Sequence, residues 1–243
     1  MPQQPSTSLP KNWPKDIVFL TTLHIPSPLT PASVHFLHES TTASTTLPLI
    51  VNPSPPTPNS NVRITPITTP THPAYTQHGL FATRALPPSS FIIFYLGTLH
   101  PSSTTDPTSN YDLSLDRDLD LSIDATHRGN EARFINDYRG IRPEGPNAEF
   151  RDCLVEMTPT SGSGSSNNNN KANTYYERRI GVFVLSPGKA KVGAKSTGSK
   201  RARGRGIAKG EEIVVSYGKG FWNARKDEVG GGVAEGSWVN DLT

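Results

Sequence analysis

The chain has 243 residues, of which 33% are hydrophobic and 23 are proline, with a formal net charge of +3. That length permits one domain with tails, and so little apolar content with so much proline implies that part of the chain does not pack. The lone cysteine, Cys153, excludes a disulfide framework and a cysteine-rich zinc cluster and fits a reducing intracellular compartment. No run of 18 apolar residues exists to cross a membrane, and the opening MPQQPSTSLPKNWPKD has no apolar stretch of a secretory signal. Lys189 to Lys209 holds eight basic residues and no acid, which leaves 16 basic against 21 acidic residues elsewhere. The chain therefore reads as an acidic body with one basic segment.

Residues 1–59 are rich in Pro, Ser and Thr and end near NPSPPTPNSN, a composition of extended or disordered chain. Within them Asp16 to Leu20 is more apolar, and two readings stay open: a strand docked on the body, or a sticky patch in a tail. From Val62 the texture changes. Val62 to Ile64 alternates, a turn follows at Gln77-His78-Gly79, and short strands are expected at Leu80–Ala82 and Phe91–Leu96 around a Pro-Pro turn.

Tyr111 to Asp124 is the cleanest pattern. Tyr111, Leu113, Leu115, Leu119, Leu121 and Ile123 share one parity, and Asp112, Asp116, Asp118, Asp120 and Asp124 share the other. Such period-2 alternation predicts a strand, or two strands folded at Asp116-Arg117-Asp118, with one apolar face and one solvated acidic face. Ala148–Met157 and Arg179–Leu185 read as strands joined by a flexible loop at about 158–174. A Gly-rich basic insertion follows at about 186–206, then a closing strand at Ile213–Tyr217 and a loose tail, 224–243. No long amphipathic helix is expected.

Two stretches carry the chemistry. GNEARFINDYRG, Gly129 to Gly140, sets turn formers around apolar anchors, which is how a chain presents backbone groups to a ligand. KGEEIVVSYGKGFW, Lys209 to Trp222, ends a strand in tyrosine, glycine and two aromatics. With QHGLFATRALPPSSFIIFYLG, with NYDLSLD and IDATHRGNEARFIN, with Pro146-Asn147, and with GIAKGEEIVVSYGKGFW, residues 60–223 resemble a SET-domain protein-lysine methyltransferase. The resemblance is to the fungal-type single SET domain without a cysteine-rich post-SET region. It implies a mainly β (α+β) fold of small curved sheets with a pseudoknot, following a largely disordered N-terminal region.

The resemblance also implies roles. Tyr217 is the expected catalytic phenol, with Tyr111 beside it. Gln77, His78, Gly79, Arg133, Asn136, Asp137 and Trp222 are the expected S-adenosylmethionine contacts, with Arg133 and Phe134 also supporting the knot. Tyr95 and Phe221 are the expected walls of a lysine channel. No metal is expected, since His78 has no partner at ligand spacing. Cys153 is expected to be simply buried. The departures are specific. Where the family has Asn-His-Ser-Cys this chain has Asn136-Asp137-Tyr138-Arg139; Gln77 replaces the first glycine of Gly-x-Gly, and Ser216 replaces an Asp before the closing tyrosine.

The residue types suit methyl transfer to an amine. The reaction needs a neutral lysine and collinear alignment, and alignment supplies effective molarities on the order of 10⁵ M or more. A narrow apolar channel strips water from the ammonium and lowers its pKa. Carbonyls and a tyrosine hydroxyl hold the amine and methyl by weak CH···O contacts, a glycine admits close backbone approach, and an asparagine both donates and accepts. The expected partner is a protein substrate bearing a lysine, a histone or another protein. Nucleic acid is a further expected partner through Lys189–Arg205, and the expected location is nuclear, with cytoplasmic as the alternative. Two other readings stand: a non-catalytic SET-fold chromatin or nucleic-acid adaptor using the basic insertion, and a cofactor-binding protein without transfer activity.

Overall fold

The computed structural model describes residues 8–27, 38–39, 46–51, 58–118, 120–157, 175–186, 206–218 and 221–222. The expectations for the loop at 158–174, for most of the basic insertion, for Leu119 and for the C-terminal tail lie outside the described residues.

In chain order the strands are β1 (Val18–Phe19), β2 (His38–Glu39), β3 (Leu49–Ile50), β4 (Val62–Pro66), β5 (His78–Ala82), β6 (Phe91–Phe94) and β7 (Thr98–His100). They continue as β8 (Asp112–Asp116), β9 (Leu121–Asp124), β10 (Arg128–Gly129), β11 (Asn136–Asp137), β12 (Ala148–Met157), β13 (Tyr175–Val184) and β14 (Val214–Val215). They make several small sheets, and among the described residues Ser102–Thr104 and Glu131–Phe134 form 3-10 turns. The architecture is mainly β, and it is the one that the SET resemblance implies.

The largest sheet is built on β13. It pairs antiparallel with β12 from Ala148 opposite Val184 to Met157 opposite Tyr175. Its second half also pairs with β6, Gly181 opposite Phe94 and Phe183 opposite Phe91, across a bulge at Val182/Phe183. Flanked on both edges, Ile180 to Val184 is buried at every position, as a near-continuous apolar run demands. Cys153 is buried here too, its Sγ 3.5 Å from the Arg179 carbonyl, and burial pushes its thiol up to about 12.

Tyr111–Asp124 folds as two strands. β8 and β9 pair antiparallel, with a register shift between Ser114 and Asp116, and β9 also pairs with β7. Gly97 precedes β7, where a Cβ would lie 2.4 Å from the Asp124 carbonyl oxygen, so only glycine admits this approach. The acidic face is not simply solvated. His100 meets Asp112 at 3.1 Å, Arg178 pairs with Asp116, and Asp124 accepts from Ser109 Oγ and Thr126. Period-2 alternation fixes which side a carboxylate faces, and other strands and loops decide whether that side stays wet.

The N-terminal reading narrows in the same way. Of the two readings for Asp16 to Leu20, the structure takes the docked strand. Val18 and Phe19 pair parallel with Arg128 and Gly129. Trp13 stands edge-on to Phe19 at 4.9 Å and to Phe134 at 5.7 Å, donates Nε1–H to the Ile17 carbonyl at 2.7 Å, and anchors the segment. Leu23 is buried in the core, and His24 bridges Thr98. A few aromatic and aliphatic anchors therefore tie a proline-rich segment down.

The closing segment takes hydrogen bonds from both sides. On one side Ile213 N donates to the Leu80 carbonyl and Ala82 N to the Glu211 carbonyl. On the other, β14 pairs parallel with β11, Tyr138 N donates to the Val215 carbonyl, and the Asn147 side chain brackets Glu212 and Val214. Residues 136–147 and 207–217 thus lie side by side, with the closing segment also bonded to β5. The 3-10 turn before β11 is held from beneath. Asn130 donates to the Phe94 carbonyl and accepts from Leu96 N, and Glu131 accepts from Asn59 N.

Candidate active site

Tyr217 ends the closing segment with its ring half-buried against the core. Its hydroxyl donates to the Ile135 carbonyl at 2.7 Å, and its ring meets Phe221 edge-on at 4.7 Å. Burial first, then the negative charge of Asp137 nearby, holds the phenol well above the usual tyrosine range. It is therefore a neutral donor at physiological pH, not a base.

Tyr217 borders a cavity of about 560 Å³ whose walls include Tyr95, Tyr111, Ile135, Phe150 and Phe221. Tyr95 is buried, donates its hydroxyl to the Tyr111 carbonyl at 2.5 Å, and stands edge-on to Phe150 at 5.5 Å. Its phenol is also raised, by burial first and by Tyr217 next. Arg133 belongs to this wall as well. Its guanidinium donates from Nε to the Ala125 carbonyl at 3.0 Å and lies 4.3 Å from the Tyr111 ring centroid and 5.0 Å from that of Phe134. The polar rim includes Asp112 and Arg117, with the Asp112 carboxyl raised mainly by burial.

A polar cluster, or cradle, adjoins the same backbone at its next residue. Ile135 turns its carbonyl to Tyr217, while the next residue, Asn136, sends Nδ2 to the His78 carbonyl at 3.3 Å and to Glu212 Oε1 at 2.8 Å. Glu212 Oε2 meets His72 Nε2 at 3.0 Å, and His72 Nδ1 accepts from Ala74 N. The second contact makes Nδ1 the acceptor, so Nε2 carries the hydrogen toward Glu212. A Cβ at Gly79 would lie 2.6 Å from Glu212 Oε1, so glycine is what lets the Glu212 carboxylate come this close to the backbone.

The expected residues thus fall into two groups. Tyr217, Tyr111, Tyr95, Phe221 and Arg133 border the cavity, Arg133 among them although the resemblance places it with the cofactor set. His78, Gly79 and Asn136 converge on the cradle, next to Gln77, whose backbone bonds Ile67 and Ala74. Asp137 joins β14 through its backbone, and its carboxylate faces Arg139, Tyr217 N and the indole of Trp222. Sequence reading missed Glu212, His72, Phe150 and the Ile135 carbonyl. Glu211-Glu212 stood beside the closing strand as a signal, but nothing in the pattern said which carboxylate turns inward.

The cradle fits the aminoacyl end of S-adenosylmethionine in donor set: a carboxylate, a carbonyl and a carboxamide beside a glycine are acceptors suited to an ammonium. Among the described residues no group of three His, Cys, Asp or Glu side chains is placed to hold a metal ion. No helix among them is long and apolar enough to cross a membrane.

Comparison with known proteins gives the following. No protein-family profile matches the chain, and no curated protein matches its sequence. Among solved structures it is similar to a chain of apo ctPRC2 with mutations in Ezh2, with 20% identity and a TM-score of 0.42 over 69% of this chain and 16% of that one. It is also similar to KRYPTONITE in complex with mCHH DNA, an H3 peptide and SAH, with 19% identity and a TM-score of 0.37 over 65% of this chain and 23% of that one. Both neighbours are SET-domain methyltransferases, and the present chain spans less than a quarter of either.

Proposed function

We propose that this chain is a SET-domain protein-lysine methyltransferase using S-adenosylmethionine. The observation that supports this best is the shared wall at residues 135–136. One backbone carbonyl orients the Tyr217 phenol in an aromatic cavity, and the next side chain closes a polar cradle at Gly79. Donor and acceptor thus approach from opposite sides of one segment, the arrangement a direct displacement needs.

The cofactor, when bound, supplies an electrophilic methyl group whose C–S bond breaks as the N–C bond to lysine forms. Gly79, His78, Asn136 and Glu212 would hold its charged end. Tyr95, Tyr111, Phe150 and Phe221 surround the lysine stem and exclude water, which disfavours the ammonium and exposes the lone pair. The neutral Tyr217 hydroxyl is fixed on the Ile135 carbonyl at the border of the cavity, where its oxygen would accept weak contacts from a polarised methyl group. The lysine proton leaves to water, because the raised Tyr217 phenol is already protonated.

The substrate is a protein lysine, and histone tails are the first to try because one structural neighbour is a complex with an H3 peptide. The basic run Lys189–Arg205 supports nuclear import and a sequence-independent grip on nucleic-acid phosphates, with steep salt dependence. The adaptor reading rests on that run and on the Asp137-Tyr138-Arg139 replacement; the aromatic cavity beside Tyr217 favours the enzyme. Calorimetric titration of the full chain with S-adenosylmethionine tests the proposal. Saturable binding is expected, and absence of binding at millimolar cofactor would sink it.

A further inference from the structure

Residues 137–139 read Asp-Tyr-Arg, and their side chains form a connected unit. The Asp137 side chain is 6% exposed. Its Oδ1 accepts from Arg139 N at 2.9 Å and Arg139 Nη1 at 3.0 Å. Its Oδ2 accepts from Arg139 Nη1 at 2.9 Å, from Tyr217 N at 2.7 Å and from Trp222 Nε1 at 3.4 Å. The Arg139 guanidinium lies 5.0 Å from the Tyr138 ring centroid and 5.7 Å from that of Trp222. Trp222 stands edge-on to Phe221 at 5.3 Å, and Phe221 edge-on to Tyr217 at 4.7 Å. One carboxylate therefore gathers donors from three places: its own turn, the backbone of the residue bearing the phenol, and the ring beside the cavity wall.

We propose that Asp137 is a positioning residue for the reaction. Together with Arg139 it fixes the Tyr217 backbone and the Phe221–Trp222 pair against the channel, and it acts through them without touching substrate. This rests on reading the cavity as the lysine channel. A carboxylate is the side chain the geometry requires, because every group around it donates. An asparagine of the same shape fails in either orientation: its NH₂ faces Tyr217 N–H or the Arg139 guanidinium, donor against donor. A hydrogen bond to a charged group contributes enough that its loss is worth about ten- to a hundredfold in an equilibrium. The pin also explains why this chain departs from Asn-His-Ser-Cys at three consecutive positions: Asp137 and Arg139 form one pair, and Tyr138 lies against the guanidinium of that pair.

The test compares full-length wild type, Asp137→Asn and Arg139→Ala. Three readouts are taken: hydrogen exchange at the Tyr217 amide, the Trp222 indole N–H resonance assigned against Trp222→Phe, and methyl transfer from S-adenosylmethionine to unfractionated histones. For Asp137→Asn we expect Tyr217 exchange and kcat each to change by about tenfold or more, faster and lower respectively, with a displaced indole resonance. Cofactor affinity is expected to stay within about threefold, since the carboxylate bonds Arg139, Tyr217 and Trp222 rather than the cradle residues. Arg139→Ala keeps the Tyr217 bond, so a displaced indole and a smaller fall in kcat are expected; it carries the test if Asp137→Asn does not fold. Wild-type exchange, indole and kcat in both variants overturn the proposal, and so does a loss of kcat that tracks an equal loss of cofactor affinity. A wild type that neither binds S-adenosylmethionine nor transfers methyl groups defeats the methyltransferase reading, while the exchange and indole signals still decide whether Asp137 holds Tyr217 and Trp222.

Discussion

The two sides of the 135–136 segment are built in opposite ways. On the phenol side, aromatic rings surround an open cavity of about 560 Å³, and their hydroxyls are tied back into protein carbonyls. On the other side, polar groups bond to one another: Asn136 to His78 and Glu212, Glu212 to His72. The first is preorganised by packing and ready for an apolar stem. The second is held by hydrogen bonds among side chains and backbone carbonyls. Rigid walls where geometry decides rate, and adaptable acceptors where affinity is needed, are what a two-substrate displacement calls for.

Substitution on each side separates them. The largest effect is expected from Tyr217→Phe, which removes the hydroxyl from the cavity and leaves the Ile135 carbonyl without its donor. Turnover should fall by about 10²-fold, the scale for losing one polar group aimed at a reacting centre, with cofactor affinity unchanged. Equal initial rates for mutant and wild type would reject Tyr217. Asn136→Ala acts on the other side. It should weaken S-adenosylmethionine binding by about 1–3 kcal/mol, leaving the His78 carbonyl and Glu212 short of a donor; an unchanged dissociation constant in a folded mutant speaks against the cradle.

Acid–base behaviour distinguishes the sides more finely. Burial raises both Tyr217 and Tyr95 in the folded protein. A folded-state pKa above the unfolded value, about 10 for tyrosine, gives stability that is fully present below pH 10 and is lost as pH rises beyond it. Melting temperatures should therefore drop above pH 10, less steeply in Tyr217→Phe; equal slopes would place the phenol in water. Over the range below that, turnover should climb with pH as lysine loses its proton, with no descending limb due to Tyr217. The smallest effect belongs to Cys153, which is buried with its thiol raised. Iodoacetamide should leave the native protein unlabelled by mass spectrometry, and ready alkylation would show that β12 opens.

Much of this was legible in the sequence for a physical reason. Ala148–Met157 lies on one long ladder, where apolar content and alternation specify a strand by themselves, and its bounds agree with the expectation. Parity alone marked Tyr111–Asp124 as strand and left one strand or two open; the structure takes two. The closing strand was harder. Only Val214–Val215 pairs regularly, because Ile213 and Tyr217 spend their backbone groups on Leu80 and Asp137 instead. Long-range partners were illegible for the same reason. His72 meets Glu212 across 140 residues and Asn136 meets it across 76, and no local pattern records which of two adjacent glutamates turns inward. The docking of residues 8–27 was ambiguous because proline-rich composition speaks about average packing, while Trp13 and Leu23 act as single anchors.

The most direct test of the central claim is transfer itself. The full chain is incubated with methyl-labelled S-adenosylmethionine and either purified histones or a cell lysate, and labelled protein is hydrolysed to identify the modified amino acid. The account expects label on methyl-lysine, lost in Tyr217→Phe and reduced in Asn136→Ala at limiting cofactor. Absence of label from every protein, by a folded chain under conditions where a control lysine methyltransferase is active, would contradict it.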